Sequence, residues 1–459
     1  MRKIFSEVNT RAIWRKIWVE LAEAQSDYGI VSPEELSDLK SKASKNNIDL
    51  KRAHEIEKRI KHDLMAEVMT YAEQTPVGGG KIHFGATSMD IEDNADMLKY
   101  TGALNIILSR LLTCLNSTSK NIVKYKNLPC MGWTHLQPAE PTTVGYRLAN
   151  YAQDLVLDIR FVESLLSGFV KGKGIKGAVG TSASFEHILS SKSEPRNLEK
   201  KVMQKLGLDP LPVSSQTYPR KLDYLILSGL ASIGQSAHKF GFDLRLLQSP
   251  GFGEISEPIG KDQVGSSAMP FKRNPTSAER MCSLTRYLSV LPLVAISNAS
   301  NSLLERTLDD SANRRIILPE GFLAVDESLV LYDRIMKGVK VYSSMIKKNL
   351  EKYGPFAGTE ILLMKLVKNG EDRQKMHEMI RQHSFKAWED VMAGKNNPLE
   401  KRLLKEPCVK ALGRDELLEV LTPSTYIGDA VDRCEKFVNL TIVPILSRYG
   451  AKRRGTSSK

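Results

Sequence analysis

Apolar residues recur along this chain at spacings of three and four over unusually long stretches. Leu104, Leu108, Leu111, Leu115 and Ile122 fall on one stripe, and Val144, Leu148, Tyr151, Leu155 and Ile159 form the next. The pattern returns in Leu222, Ile226, Leu230, Ile233, Ala237, Phe240, Leu244 and Leu247, and again in Phe322, Val325, Leu329, Tyr332, Met336 and Val339. Each stripe predicts a helix of roughly 20 residues or more. A fifth helix is predicted from near Thr276 past Ser300, with Pro292 inside it, where the missing N–H and the ring clash predict a kink. Long helices of this kind imply an all-α bundle. The stripes are longer than one small globule can cover, so part of their apolar surface is expected to face other subunits.

Shorter, charge-rich helices fill the first 85 or so residues. Ser32 is placed to cap one that starts at Pro33, with Glu35 at its third position. After Tyr342 the periodicity shortens again, with breaks expected at Gly354-Pro355 and Asn397-Pro398. The expected domains are therefore 1–87, an N-terminal helical domain; 88–341, the long-helix bundle; and 342–459, a C-terminal helical domain. The end, AKRRGTSSK, lacks apolar groups and is expected to fray. Turn-formers gather at 75–85, 127–142, 171–184, 210–219 and 250–275, and functional residues are expected there.

Composition narrows the class. With 41% hydrophobic and 26% charged residues the chain is globular and not disordered. Its net charge of +13 invites an anionic partner. Only 7% of residues are aromatic and the cations are scattered, which argues against a nucleic-acid binder or a basic helical scaffold. The cysteines Cys114, Cys130, Cys282, Cys408 and Cys434 are widely spaced without a C-x-x-C pair, so they read as buried thiols of a reducing cytosol. The N-terminus carries charges throughout, unlike a secretory signal, and no apolar run approaches a membrane span, so a soluble cytoplasmic protein is expected. GKGIKG at 172–177 follows a helix and not a strand, which removes the dinucleotide-binding reading, and a phosphate-cradling NTPase loop is absent from the sequence. His54, His377 and His383 lie among charged helical residues and read as surface histidines. No metal or cofactor is called for.

The segment Gly265–Pro275 reads GSSAMPFKRNP and closes a loop, 251–275, that carries further glycines at Gly251, Gly253 and Gly260. Its hydroxyls, Lys272 and Asn274 offer ammonium, amide and O–H groups to one anion, although residues of these types also make ordinary solvated turns. The segment resembles the signature loop of the fumarase/aspartase superfamily, and in its variable places it is most similar to the adenylosuccinate lyases. Other blocks fit that branch in order and spacing: KHD at 61–63, HFGATSMDIEDNAD at 83–96, GWTHLQPAEPTT at 132–143, SSQTYPRK at 214–221 and ERTLDDSANRR at 305–315. Argininosuccinate lyase, aspartase or fumarase activity is the nearest alternative.

The resemblance implies a three-domain, all-α homotetramer with a 20-helix core and active sites shared among subunits. It also implies β-elimination of fumarate from adenylosuccinate, giving AMP, and from the succinyl-carboxamide ribotide SAICAR, giving AICAR. By matching position, Ser266 is the expected base and His135 the expected acid. Lys61, His62, Asp63, His83, Thr87, Ser88, Gln216, Lys272, Asn274, Glu279, Arg280, Arg306, Ser311 and Arg315 are the expected substrate-binding set. Three places depart from the pattern. Lys61 stands where arginine is common, Phe271 replaces the usual tyrosine or histidine, and the upstream Arg-Tyr pair of the family would fall before Met1, so either the true start lies further upstream or the substrate phosphate is held otherwise.

Overall fold

The structure, a computed structural model, describes residues 1–190 and 192–455, with side chains as far as Gly450. Four helices open the chain: α1 (Glu7–Ser26), α2 (Pro33–Lys42), α3 (Leu50–Ile60) and α4 (Asp63–Gln74). The first long helix, α5 (Ser88–Tyr125), leads into a hairpin of β1 (Pro129–Thr134) and β2 (Gln137–Thr143), then α6 (Val144–Ser164), α7 (Ala183–Leu189) and α8 (Pro195–Leu206). Next come α9 (Lys221–Gln248), the short β3 (Ile255–Ser256), α10 (Thr276–Asn301), α11 (Ser311–Gly338) and β4 (Lys340–Val341), which pairs with β3. The remainder is helical: α12 (Ser343–Ala357), α13 (Thr359–Lys368), α14 (Arg373–Met392), α15 (Leu399–Leu403), α16 (Pro407–Leu412), α17 (Arg414–Leu421), α18 (Ala430–Phe437) and α19 (Val443–Gly455).

The predicted stripes are the buried faces of α5, α6, α9 and α11; every residue named for them is buried except Val339, which is half-buried and lies one residue past the end of α11. Burying a Leu, Ile, Val or Phe side chain stabilises by about 1.5–3 kcal/mol each, so these stripes fix which way the long helices face. The helix predicted around Pro292 is α10, which continues through the proline to Asn301, and α11 likewise contains Pro319. Ser32 caps α2 as expected, its hydroxyl accepting from Glu35 N while the Glu35 carboxylate accepts from Ser32 N. At Gly354-Pro355 the expected break is absent. Pro355 lies in the last turn of α12, where one missing N–H costs a single bond near the helix end. Asn397-Pro398 does separate α14 from α15. The tail expected to fray is helical as far as Gly455 and otherwise lies outside the described residues.

The described chain divides into two compact units. One comprises Met1–Arg110, Asp158–Gln235 and Leu284–Ser328; the other comprises Leu111–Leu157, Ser236–Ser283 and the described residues from Leu329 onward. In the first, Trp18, Leu21, Leu39, Ile56, Leu64 and Tyr71 join the short N-terminal helices, while Ile226, Leu230, Leu318 and Phe322 belong to the long ones. In the second, Leu362, Leu366, Leu399, Leu403, Val409 and Leu417 form the core of the C-terminal helices. His383 is not the surface residue expected of it: its ring is largely covered and lies 2.8 Å from Glu406. All five cysteines are free, and Cys408 alone of them is not fully buried. Among the described residues no helix is long and apolar enough to cross a membrane.

Candidate active site

The first unit encloses a cavity of about 740 Å³ whose lining includes Lys61, His62, Asp63, Thr87, Ser88, Gln216, Arg306, Ser311 and Arg315. Four sequence blocks thus arrive at one wall-to-wall site, and local structure explains how. His62 is the N-cap of α4, its Nδ1 accepting from Met65 N at 3.4 Å, and Lys61 turns the chain there with a left-handed φ of 57°. Thr87 and Ser88 open α5, where Asp90 accepts from Thr87 N at 3.0 Å. The free N–H groups and dipole of so long a helix favour an anion at this end. Gln216 is tied to the opposite wall by its N–H, which donates to Glu305 O at 3.3 Å. Ser311 opens α11, and Arg315 lies one turn along it.

Beneath the cavity lies a buried ion network. Arg220 bridges Asp93 at 3.0 Å and Asp310 at 2.6 Å, while Arg314 reaches Asp223 at 2.6 Å, Asp96 at 3.2 Å and the Tyr218 hydroxyl at 2.5 Å. Asp93 also accepts from Tyr218 N at 2.7 Å, so the network clamps the 214–220 segment and the start of α11 against α5. Arg306 stands apart from these pairs. One of its buried guanidinium nitrogens has no hydrogen-bond partner among the described residues. Burial, with Arg220 and Arg314 repelling it and Asp310 and Asp93 opposing, pulls its pKa below the ordinary value. A half-buried cation with one enclosed, unpaired nitrogen is a receptor for an anion.

Motif matching missed part of this wall. Glu92 and Asp96 lie four and eight residues after Ser88, so the helix period puts them on the same face, and both line the cavity with Lys99 and Arg314. Glu7, Arg11, Trp14 and His54 extend the lining from α1 and α3. The spacing from Ser88 was the available signal for the first two; nothing comparable marked the others.

Seven expected site residues do not line this cavity. His83 accepts a 3.1 Å hydrogen bond from Trp18 Nε1 and is held below its ordinary pKa by burial. The remaining six belong to the second unit. His135 and Leu136 form the exposed tip of the β1–β2 hairpin, both with left-handed φ, 54° and 58°. A two-residue turn of that hand normally uses Asn-Gly, so a strain of about 1–3 kcal/mol per residue is held at this tip. The hairpin is braced from behind by Arg147, which donates to Met131 O at 2.6 Å and pairs with Glu254 at 2.9 Å. A bulge at Gly132 lets the strand pass the Glu140 carbonyl.

Ser266 is half-buried in the 257–275 loop, where its Oγ accepts from Met269 N at 3.1 Å. Asn274 donates to Gly265 O at 3.0 Å, and a side chain at Gly265 would collide with the Lys272 carbonyl, so the signature segment folds back on itself. Buried Glu257 anchors its far end by accepting from Ser277 N at 3.1 Å and Ala278 N at 2.9 Å at the start of α10. Lys272 is exposed, as are Glu279 and Arg280 in the first turn of α10.

The chain is similar in sequence and in fold to known proteins. A family model described as "Lyase" matches residues 16–287, and one described as "Adenylosuccinate lyase C-terminus" matches 355–437. The adenylosuccinate lyase of Schistosoma mansoni is 40% identical over 450 residues, 97% of this chain and 93% of the relative. That of Saccharomyces cerevisiae is 39% identical over 443 residues, 95% of this chain and 91% of the relative. Among solved structures, 3-carboxy-cis,cis-muconate lactonizing enzyme from Pseudomonas putida shares the fold, with a TM-score of 0.84 at 23% identity, covering 98% of this chain and 97% of that one. The chain is a lyase and belongs to the adenylosuccinate lyase family.

Proposed function

We propose that this enzyme cleaves adenylosuccinate to AMP and fumarate, and SAICAR to AICAR and fumarate, in purine nucleotide synthesis. The observation that carries the reading is the unpaired, buried guanidinium nitrogen of Arg306 in a cavity that also presents Ser311, Arg315 and the start of α5. A substrate with one phosphate and two carboxylates supplies the anions such a surface lacks.

In the reaction a base removes the proton beside a succinyl carboxylate, the electron pair forms the fumarate double bond, and the C–N bond breaks. Ser266 is the base; its hydroxyl is a weak one, and Lys272 together with loop amides lowers the cost of the alkoxide. Charge building on the carboxylate is met by Lys272 and Asn274. The leaving nitrogen departs as a neutral group when His135 delivers a proton to it. The cavity-lining binding residues are carried by one unit, and the acid, the base, Lys272, Asn274, Glu279 and Arg280 by the other.

The assembly we infer is a homotetramer in which neighbouring subunits complete each site. Tyr287, Val290, Leu293 and Ile296 form an exposed apolar stripe along α10, with Ile316 and Leu323 exposed on α11, a surface suited to burial against further copies. Free, widely spaced cysteines fit a cytoplasmic setting. The deciding experiment follows fumarate release from adenylosuccinate, argininosuccinate, aspartate and malate by absorbance. Turnover of adenylosuccinate is expected; its absence alongside turnover of another substrate would refute the reading.

A further inference from the structure

Inside the cavity of the first unit, two carboxylates share one guanidinium. Arg315 Nη1 lies 2.8 Å from Asp63 Oδ2, and Arg315 Nη2 lies 3.7 Å from Glu92 Oε1. Glu92 sits one helical turn beyond Ser88 on α5, lines the cavity, and leaves 17% of its side chain exposed there. Neither the proposed chemistry nor the matched motifs give it a role. We propose that Glu92 is an affinity-determining residue of this site: its carboxyl competes with the anionic group of the substrate for Arg315, and the neutral form of Glu92 leaves that guanidinium paired with Asp63 alone and open to the substrate. This deepens the substrate reading above and rests on Arg315 as an anion-binding residue.

The surroundings decide which carboxyl carries the charge. Two carboxyls at one cation titrate as a pair. Burial opposes ionisation of Asp63, but Arg315 and the Leu64 N–H hold its pKa below the usual range, so Asp63 takes the negative charge. Glu92 is pushed up to about 8, first by burial and then by Asp63, with Asp96 and Asp93 adding to it and Arg315 alone opposing. Other nearby cations are engaged: Lys99 lies 2.8 Å from Asp96, Arg314 3.2 Å from Asp96, and Arg220 3.0 Å from Asp93. His62 borders Asp63 at 3.7 Å, on the side of Asp63 and not of Glu92 in the ion-pair pattern. Near neutrality, therefore, Glu92 keeps its proton and Arg315 faces the cavity with one anionic partner. At higher pH it faces two, and an incoming anion must displace the second.

The size of the effect follows from the fraction of protein in the competent form, since an apparent dissociation constant is the intrinsic one divided by that fraction. For a group titrating at about 8, the neutral fraction falls from roughly nine-tenths at pH 7 to roughly one-tenth at pH 9, so affinity falls by up to about tenfold. A phosphate monoester is already doubly ionised over this range, so its own titration adds little.

The test measures KM for adenylosuccinate and the Kd of AMP by titration calorimetry at pH 7 and pH 9, for the wild-type protein and Glu92→Gln. In the wild type both constants should rise about tenfold, and in the variant less than twofold. Parallel rises in the two proteins, or a flat wild-type profile, would overturn the proposal. AMP binding with the expected pH response but no cleavage of adenylosuccinate would leave Glu92's role standing and remove the substrate reading. Cleavage with identical pH profiles would do the reverse, and no AMP binding at either pH would remove both. Should Glu92→Gln fail to fold, the wild-type AMP series decides alone: equal Kd values at the two pH values overturn the competition, and a tenfold loss supports it.

Discussion

The proposed acid sits on a hairpin whose position hangs on one glycine, and that makes its role testable without touching His135. A Cβ built on Gly132 would lie 2.5 Å from the Glu140 carbonyl oxygen, where real Cβ atoms keep at least 3.0 Å and ordinarily 3.4 Å. Gly132→Ala therefore pushes β1 from β2 by about half an ångström to one ångström at the bulge, three residues before His135. A reacting group misplaced by about 1 Å loses on the order of a hundredfold in rate, equivalent to about 2.7 kcal/mol of barrier, so kcat should fall by about ten- to a hundredfold. Overpacking costs about 1–3 kcal/mol of stability, and the core clusters of both units are untouched, so the variant should still fold. Fumarate release in a stopped assay gives kcat, and a melting curve controls for folding. Gly260→Ala is the matched control, because its added Cβ would meet nothing nearer than 3.7 Å. A Gly132→Ala enzyme with kcat within twofold of wild type would mean that the hairpin does not position the acid.

Ser266→Ala and His135→Ala should each lower kcat by at least about a thousandfold while AMP affinity, read by calorimetry, changes little; near-normal turnover in either would remove its assigned role. Arg306→Met removes a cation whose charged form is penalised by burial and by Arg220 and Arg314, so the variant should gain about 1 kcal/mol of stability and lose at least about tenfold in AMP affinity. Equal loss of both would show that Arg306 is structural. Because the folded-state pKa of Glu92 is raised, its contribution to stability is fully present below the ordinary glutamate value of 4.5 and is lost as pH rises through about 8. Glu92→Gln should accordingly melt about 2–4 °C above the wild type at pH 9, with the gap nearly closed at pH 5; a gap that does not change with pH would contradict this. Charging the exposed α10 stripe with Val290→Glu plus Leu293→Glu should yield species smaller than a tetramer in analytical ultracentrifugation, and an unchanged sedimentation coefficient would count against that interface.

The long helices were readable because their signal is redundant: eight apolar residues in register on α9 outvote any single substitution, and all eight are buried. The hairpin was not. Its strands carry Pro138 and Pro141, which read as loop residues, yet Pro141 faces Met131 and Pro138 faces Trp133 in a two-stranded sheet, where an outward N–H is no loss. Its turn gave no warning either, since His135 and Leu136 take a left-handed conformation that sequence assigns to glycine or asparagine. Within the site, motif matching found residue types at family positions; one of them, His83, accepts from Trp18 through Nδ1 and does not line the cavity. It passed over Glu92 and Asp96, which a helix-period reading outward from Ser88 reaches directly.

The net charge of +13 is a poor guide to this site, because what an anion meets is the charge left after local pairing. Arg220 and Arg314 lie deep beside the cavity, but Asp93, Asp223, Asp310 and Asp96 hold them as ion pairs. Such buried pairs are weak evidence for stability, since desolvation offsets much of their attraction. Their consequence here is positional. The locked arginines fix the 214–220 segment and the start of α11, and they repel Arg306, while the carboxylates that favour its charge, Asp310 and Asp93, are already engaged with Arg220. The same logic runs in the other direction at Arg315, where Asp63 is a committed partner and Glu92 a conditional one. Anion affinity in this cavity is therefore set by which carboxylates are committed elsewhere, and the surplus of lysine and arginine over the rest of the chain contributes through long-range attraction that salt will screen.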